Sequence, residues 1–124
     1  MEIGKSFTST TVVNEHNTAM ALGSGNLPVF ATPAMLALME HAAMSAVAAD
    51  LPAGCTTVGI QLDVVHTKAS KIGTAIHATA TLTAVEGERK LIFDVTATDG
   101  VSCIGKGTHT RCIVDEKRFM DKLK

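Results

Sequence analysis

A chain of 124 residues is long enough for one domain with a real core. Hydrophobic residues make up 46% of it and aromatics only 3%, so the interior must be packed from Ala, Val, Ile, Leu and Met. A net charge of −1 with acids and bases intermixed gives no support for nucleic-acid binding, and no apolar run reaches the ~18 charge-free residues of a membrane span. The start, Met-Glu-Ile-Gly-Lys, lacks the layout of a signal peptide. Cys55, Cys103 and Cys112 have no metal-type spacing and read as reduced thiols of a cytoplasmic protein.

Residues 5–13 are rich in β-branched side chains and predict a strand. Residues 14–17 break it, and Gly23-Ser-Gly-Asn-Leu-Pro28 predicts a loop. Residues 29–51 then read as one long helix, apolar almost all the way round and therefore a core element. Thr32 followed by Pro33 suits its start, the hydroxyl acting as N-cap. Pro52 and Gly54 end it.

After Gly54 the period changes to two. Val58, Ile60, Leu62 and Val64 fall on one face and Gly59, Gln61 and Asp63 on the other, with His66 on the apolar face by parity. A bend at 70–73 leads into a strand in which Ile72, Ile76, Ala78, Ala80 and Leu82 alternate with His77 and threonines. Glu86-Gly-Glu88 predicts a turn, residues 90–98 a further strand, and Asp99-Gly100 a tight hairpin. The last strand runs from Val101 to Val114, its Gly105 and Gly107 marking a bulge or a close backbone approach. Asp115 caps a short helix over 116–123. The expected architecture is α+β, a single hotdog domain over residues 1–124. One long central helix is wrapped by a five-stranded antiparallel sheet whose last four strands form a meander. Its open sheet edges predict a homodimer.

Two polar groups sit where the pattern wants apolar ones. Glu40 lies inside the buried helix, and His66 faces it from the sheet. A carboxylate and an imidazole on one cavity can do acid–base or nucleophilic work, or can simply satisfy each other. Thr32 is a third candidate, although eight residues of helix, ~12 Å, separate it from Glu40. A substrate, a later helix start or a second subunit would have to bridge that gap. Gly59 offers a backbone N–H to a carbonyl oxygen, or is only a tolerated strand glycine. His41 points ~100° away from Glu40 on the helix, and His77 shares a solvated face. The five histidines lack ligand spacing, so no metal is expected.

Three groups of residues occur in order and span most of the chain: Val29-Phe-Ala-Thr32 with Leu38-Met-Glu40; Gly59 with Val65-His66-Thr67; and Asp99-Gly-Val101 with Ile104-Gly-x-Gly-Thr-His-x-Arg111. Together they resemble the fluoroacetyl-CoA thioesterase-like group of hotdog acyl-CoA thioesterases. The resemblance implies hydrolysis of a small acyl-CoA to free acid and coenzyme A, with no cofactor. It maps a catalytic set onto Thr32, Glu40 and His66, puts Gly59 at the thioester carbonyl, and places Arg111 near the site end of the last strand. From the residues alone, Arg111 also reads as a surface charge on an edge strand. Lys68, Lys71 and Arg111 are the cations considered for the coenzyme A phosphates. Members selective for fluoroacetate carry phenylalanines in the loop before the helix. Residues 23–28 have none, so the resemblance implies a general acyl-CoA thioesterase. Two other readings stay open: an acyl-CoA hydratase or dehydratase, and a non-catalytic acyl-CoA-binding module.

Overall fold

A computed structural model describes all 124 residues. The elements are β1 (Ser6–Val12), α1 (Ala19–Leu22), α2 (Thr32–Val47) followed by a 3-10 turn (Ala48–Asp50), β2 (Cys55–His66), β3 (Ala75–Glu86), β4 (Lys90–Thr98), β5 (Cys103–Asp115) and α3 (Glu116–Asp121). Five antiparallel strands form one sheet wrapped on α2, which is the expected hotdog arrangement. No helix is long and apolar enough to cross a membrane.

Three local expectations change. The strand order is β1-β3-β4-β5-β2, so only β3, β4 and β5 form a meander. β2 does not turn back on β3; it pairs with β5, and residues 67–74 carry the chain across to the far side. The reason is registry: β3 fills the place between β1 and β4, pairing Phe7 with Ala80 and Leu82 with Phe93. Asp99-Gly100 makes a four-residue connection instead of a two-residue hairpin, because the Asp99 carboxylate draws in the N–H groups of Val101 and Ser102. Ile72 lies outside β3 and is exposed. A short helix, α1, also stands in the segment before α2. The Thr18 hydroxyl caps it by accepting from Ala21 N–H, and Gly23 ends it at φ 73°.

The core is built small-on-small. Met35, Met39, Ala42, Ala43, Ala46 and Val47 of α2 are buried against sheet residues that include Ile76, Ala78, Ala80, Leu82 and Ala97. Alanines on both surfaces bring the helix close to the sheet. Phe93 and Leu91 fill the remaining depth, each contributing ~1.5–3 kcal/mol by burial. The helix is not covered all round. Pro33, Ala37, His41, Met44 and Ala48 form an exposed stripe at helical spacing, because one sheet wraps one side only. His41 is tied at its margin: its Nδ1 lies 2.7 Å from the Ser9 hydroxyl of β1.

The two glycines of β5 mark close approach. A Cβ on Gly105 would strike the Met35 thioether, and one on Gly107 would overlap the Asp63 carbonyl and the Val64 backbone. Met35 is flexible, but the β2 backbone is not. Gly107→Ala is therefore expected to lose about 1–3 kcal/mol of stability, whereas exposed Thr108→Ala stays within about 0.5 kcal/mol. Urea denaturation of the two variants measures the contrast.

Candidate active site

The inward face of the β2–β5 pair carries a cluster of buried polar side chains: Thr57, His109 and Arg111. Gly59 pairs with Arg111, and Leu62 with His109. Simple alternation would put Gly59 and His66 on opposite faces, since their numbers differ by an odd count. A β-bulge between Gly59 and Gln61 absorbs one residue and reverses the parity. Thr57 and Gly59 before the bulge, and Leu62, Val64 and His66 after it, all face the helix. Ile60, expected inside, is turned out and is 56% exposed.

Arg111 is the anchor. It is buried, in a strand flanked on both sides, so the reading of a surface charge on an edge strand is overturned. Every face of its guanidinium is engaged. Nε donates to the Thr57 hydroxyl at 2.8 Å and Nη2 to the Thr57 carbonyl at 2.9 Å. Nη1 faces Glu40 Oε2 at 3.5 Å and His109 Nε2 at 3.2 Å. Burial pulls the Arg111 pKa down, and Glu40 pulls the other way. Glu40 itself is not buried: its side chain is 40% exposed, so the carboxylate reaches from the guanidinium to the open side of the helix.

His109 was not singled out from the sequence, although it stands in the Gly-Thr-His-x-Arg run and shares the parity of Arg111. It is almost fully buried and stacks on Phe93 at a centroid distance of 6.2 Å. Its Nδ1 lies 2.8 Å from the Gln61 carbonyl in the bulge. A carbonyl only accepts, so Nδ1 carries the proton and Nε2 offers its lone pair to Arg111. Burial lowers its pKa, the Gln61 carbonyl opposes that, and the Arg111 charge lowers it further against the pull of Glu40. Thr57 was missed as well; a threonine early in a strand gives no sign that a buried arginine needs it.

Gly59 closes this cluster. A Cβ there would sit 2.5 Å from Glu40 Oε2 and 3.3 Å from Arg111 Nη1. The glycine therefore leaves bare backbone directly in front of the carboxylate.

Thr32 and His66 form a separate pair. Thr32 is not the N-cap: Ala31 holds that place without a side-chain bond, and Thr32 is the first helical residue. Its hydroxyl is thereby free to turn to His66, with Oγ1 2.7 Å from Nδ1. The His66 ring meets Phe30 edge-on at 6.5 Å, and its Nε2 is buried without a partner. Burial lowers the His66 pKa, with the Lys68 backbone opposing.

The five residues singled out from the sequence thus fall into two clusters in one chain. Thr32 and His66 make one; Glu40, Gly59 and Arg111 make the other. Seven residues of strand separate Gly59 from His66, roughly 20 Å even with the bulge. They cannot hold the same carbonyl within a single chain. Lys68 is not free for phosphate either. Its Nζ sits 2.6 Å from Asp99 Oδ2 and 3.2 Å from the Ser102 hydroxyl. That contact, with the Ser102 and Val101 N–H groups, holds the Asp99 carboxyl well below the usual range. Lys71 makes no ion pair.

Known proteins resemble this chain over its whole length. Residues 13–117 match the family model for fluoroacetyl-CoA-specific thioesterase. The fluoroacetyl-CoA thioesterase of Streptantibioticus cattleyicolor is 38% identical over 130 aligned positions, covering 100% of this chain and 93% of its own. A solved variant of the fluoroacetyl-CoA-specific thioesterase, in complex with fluoroacetate and CoA, superposes with a TM-score of 0.89 at 38% identity, covering 96% of this chain and 99% of that one. A thioesterase superfamily member from Thermus thermophilus, 22% identical with a TM-score of 0.90 over 98% of this chain and 90% of its own, shares the fold. On the full-length identity and the family match, this chain belongs to the fluoroacetyl-CoA-specific thioesterase family.

Proposed function

We propose that this protein is an acyl-CoA thioesterase, hydrolysing a small acyl-CoA to free acid and coenzyme A. The observation that carries the chemistry is the half-exposed Glu40 carboxylate, held by buried Arg111 in front of the bare backbone of Gly59. In this reading the Gly59 N–H polarises the thioester oxygen, and Arg111 fixes the carboxylate and faces the acyl end. Glu40 attacks the carbonyl carbon to give an anhydride, or takes a proton from the water that does so. His66, oriented by Thr32, gives the departing sulfur its proton and serves as base in the reverse sense. The C–S bond breaks, and water supplies the acid's oxygen and the thiol's proton.

The functional unit is a homodimer. One chain keeps Thr32–His66 and Glu40–Gly59–Arg111 too far apart for one thioester. β2 is a free sheet edge with Ile60 and Val65 exposed on its outward face, and α2 has an uncovered stripe of its own. Antiparallel pairing of two β2 edges runs His66 of one copy toward Gly59 of the other and covers both stripes. Two complete sites result, each drawing on both chains. The three free thiols, Cys55, Cys103 and Cys112, fit the reducing cytoplasm.

The assay is release of free thiol from short acyl-CoAs. Glu40→Gln and His66→Ala are each expected to lower kcat by at least about 100-fold in a folded protein. Wild-type turnover in either variant would remove that residue from the mechanism. Water addition to an enoyl-CoA without thiol release would identify a hydratase, and binding of intact acyl-CoA without turnover a carrier. An 18O single-turnover experiment separates the two roles of Glu40, since only nucleophilic attack leaves label in its side chain. Mixing inactive Glu40→Gln with inactive His66→Ala should restore part of the activity through mixed dimers; no recovery would argue against shared sites.

Acidification should weaken the fold. The pKa values of His66 and His109 are lowered by burial, so below about pH 6.5 the unfolded chain binds protons that the folded chain refuses. Stability therefore falls between pH 7.5 and 5.5, above the range where carboxylates titrate. His109→Asn is expected to flatten that slope in urea titrations, whatever its effect on stability at pH 7.5.

A further inference from the structure

We propose that His109 is a positioning residue for Glu40, acting through Arg111. This rests on the thioesterase reading and adds what sets the direction of its carboxylate. Thr57 holds Arg111 along one edge, with Nε donating to the hydroxyl at 2.8 Å and Nη2 to the carbonyl at 2.9 Å. Two bonds on one edge leave the far end of the guanidinium free to rock. That far end is Nη1, which carries two protons. His109 Nε2 lies 3.2 Å from Nη1, and Glu40 Oε2 lies 3.5 Å from it. An imidazole lone pair that takes one proton directs the other at the carboxylate. The Glu40 contact is long and its side chain 40% exposed, so the carboxylate does not fix the cation. His109 does.

The surroundings of His109 suit it to this task. Its Nδ1–H donates to the Gln61 carbonyl at 2.8 Å, and its ring is stacked on Phe93. Bonded at both nitrogens, the buried ring cannot turn or change tautomer without leaving a polar group unpaired. All three side chains meet at Gly59. A Cβ there would stand 2.5 Å from Glu40 Oε2, 3.1 Å from His109 Cε1 and 3.3 Å from Arg111 Nη1. The network therefore ends at the backbone that the proposed mechanism puts against the thioester. Behind that backbone, His109 touches no substrate, and its effect passes through the guanidinium.

The arrangement works only with a neutral ring. The groups facing His109 are Arg111 from its own strand, Glu40 from α2, the Gln61 carbonyl from β2 and the Phe93 ring from β4. A second proton would sit on Nε2 and point at the Nη1 protons, beside a charge of the same sign. Nη1 would lose its acceptor and move away, and Glu40 would lose its direction. Burial lowers the His109 pKa, the Gln61 carbonyl opposes that, and Arg111 lowers it further against Glu40. The net shift is downward, so the lone pair is lost only below the ordinary histidine value of about 6.5.

The test measures thiol release from acetyl-CoA by the wild type, His109→Gln and His109→Leu. The glutamine amide oxygen can accept from Arg111 Nη1 and does not titrate, whereas leucine offers no acceptor. His109→Leu should lower kcat about tenfold or more with KM held within about threefold, and His109→Gln should keep kcat within about threefold of wild type at pH 7.5. Wild-type kcat should also fall below about pH 6.5 through a step that His109→Gln lacks. In the resting protein, 15N imidazole shifts should report the Nδ1–H tautomer of His109. The 13C signal of the Glu40 carboxyl should move as His109 titrates. A folded His109→Leu with wild-type kcat, a glutamine variant no better than the leucine one, an Nε2–H tautomer, or a Glu40 signal indifferent to the His109 titration would each overturn the assignment. If a variant does not fold, the two wild-type NMR signals decide. If wild-type protein releases no thiol, the thioesterase reading fails, and the same two signals still decide whether His109 positions Glu40.

Discussion

The interior of this protein is arranged around one buried guanidinium. A lone charge taken out of water is among the most costly features a fold can contain, so Arg111 requires ligands from every side. Thr57 from β2 supplies two oxygens, His109 from its own strand supplies a nitrogen lone pair, and Glu40 from α2 supplies the balancing charge. Removing one member of a buried pair costs about 3–5 kcal/mol in general. Here the carboxylate is partly solvated, which softens its own share of that cost. The same solvation leaves Glu40 accessible: Oε2 faces a fixed cation while the side chain stays 40% exposed.

The bulge at Gly59–Gln61 brings further groups to the face that carries that anchor. Without it, the residues that follow would alternate the wrong way, and His66 would point to solvent while Gly59 faced the core. The inserted residue lets both face inward. It also frees the Gln61 carbonyl to fix the His109 tautomer, and that in turn leaves Nε2 as an acceptor for Arg111. A backbone irregularity, an imidazole tautomer and a guanidinium orientation are thus linked through hydrogen bonds of 2.8 and 3.2 Å. Ile60 is the residue displaced outward, and it adds an apolar side chain to the exposed edge of β2.

Much of this was legible in the residues. The long helix, the five strands and the short capped helix follow from period changes and from Pro, Gly and Asp punctuation. Glu40 was conspicuous because a carboxylate interrupts an apolar run. His66 was found by a parity count that happened to reach the right face: the face is correct, but the count runs unbroken through Ile60, where the bulge reverses it. Bulges, crossovers and cap positions are set by tertiary registry, and alternation does not see them. That is why β2 was expected beside β3, and why Thr32 was expected to cap the helix it in fact begins. Arg111 illustrates the limit most plainly. An arginine in a strand reads as surface until the threonine and histidine that enclose it are known to share its face.

The separation of the two polar clusters has a further consequence for why the helix looks as it does. A helix packed on one sheet needs a single apolar stripe, yet α2 carries Ala, Met and Pro on its uncovered side as well, with Glu40 and His41 between them. On the dimeric reading this second stripe is covered by its symmetric copy, and small residues there let the two helices approach closely. Close approach is also what the proposed chemistry requires. Thr32 and Glu40 lie ~12 Å apart along one helix, and antiparallel strands from two chains can cancel that offset by bringing the start of one half-site to the middle of the other. On that same reading the small residues of the α2 stripe, the bare Gly59 and the free β2 edge answer one demand: two backbones must come near enough for a thioester to touch both.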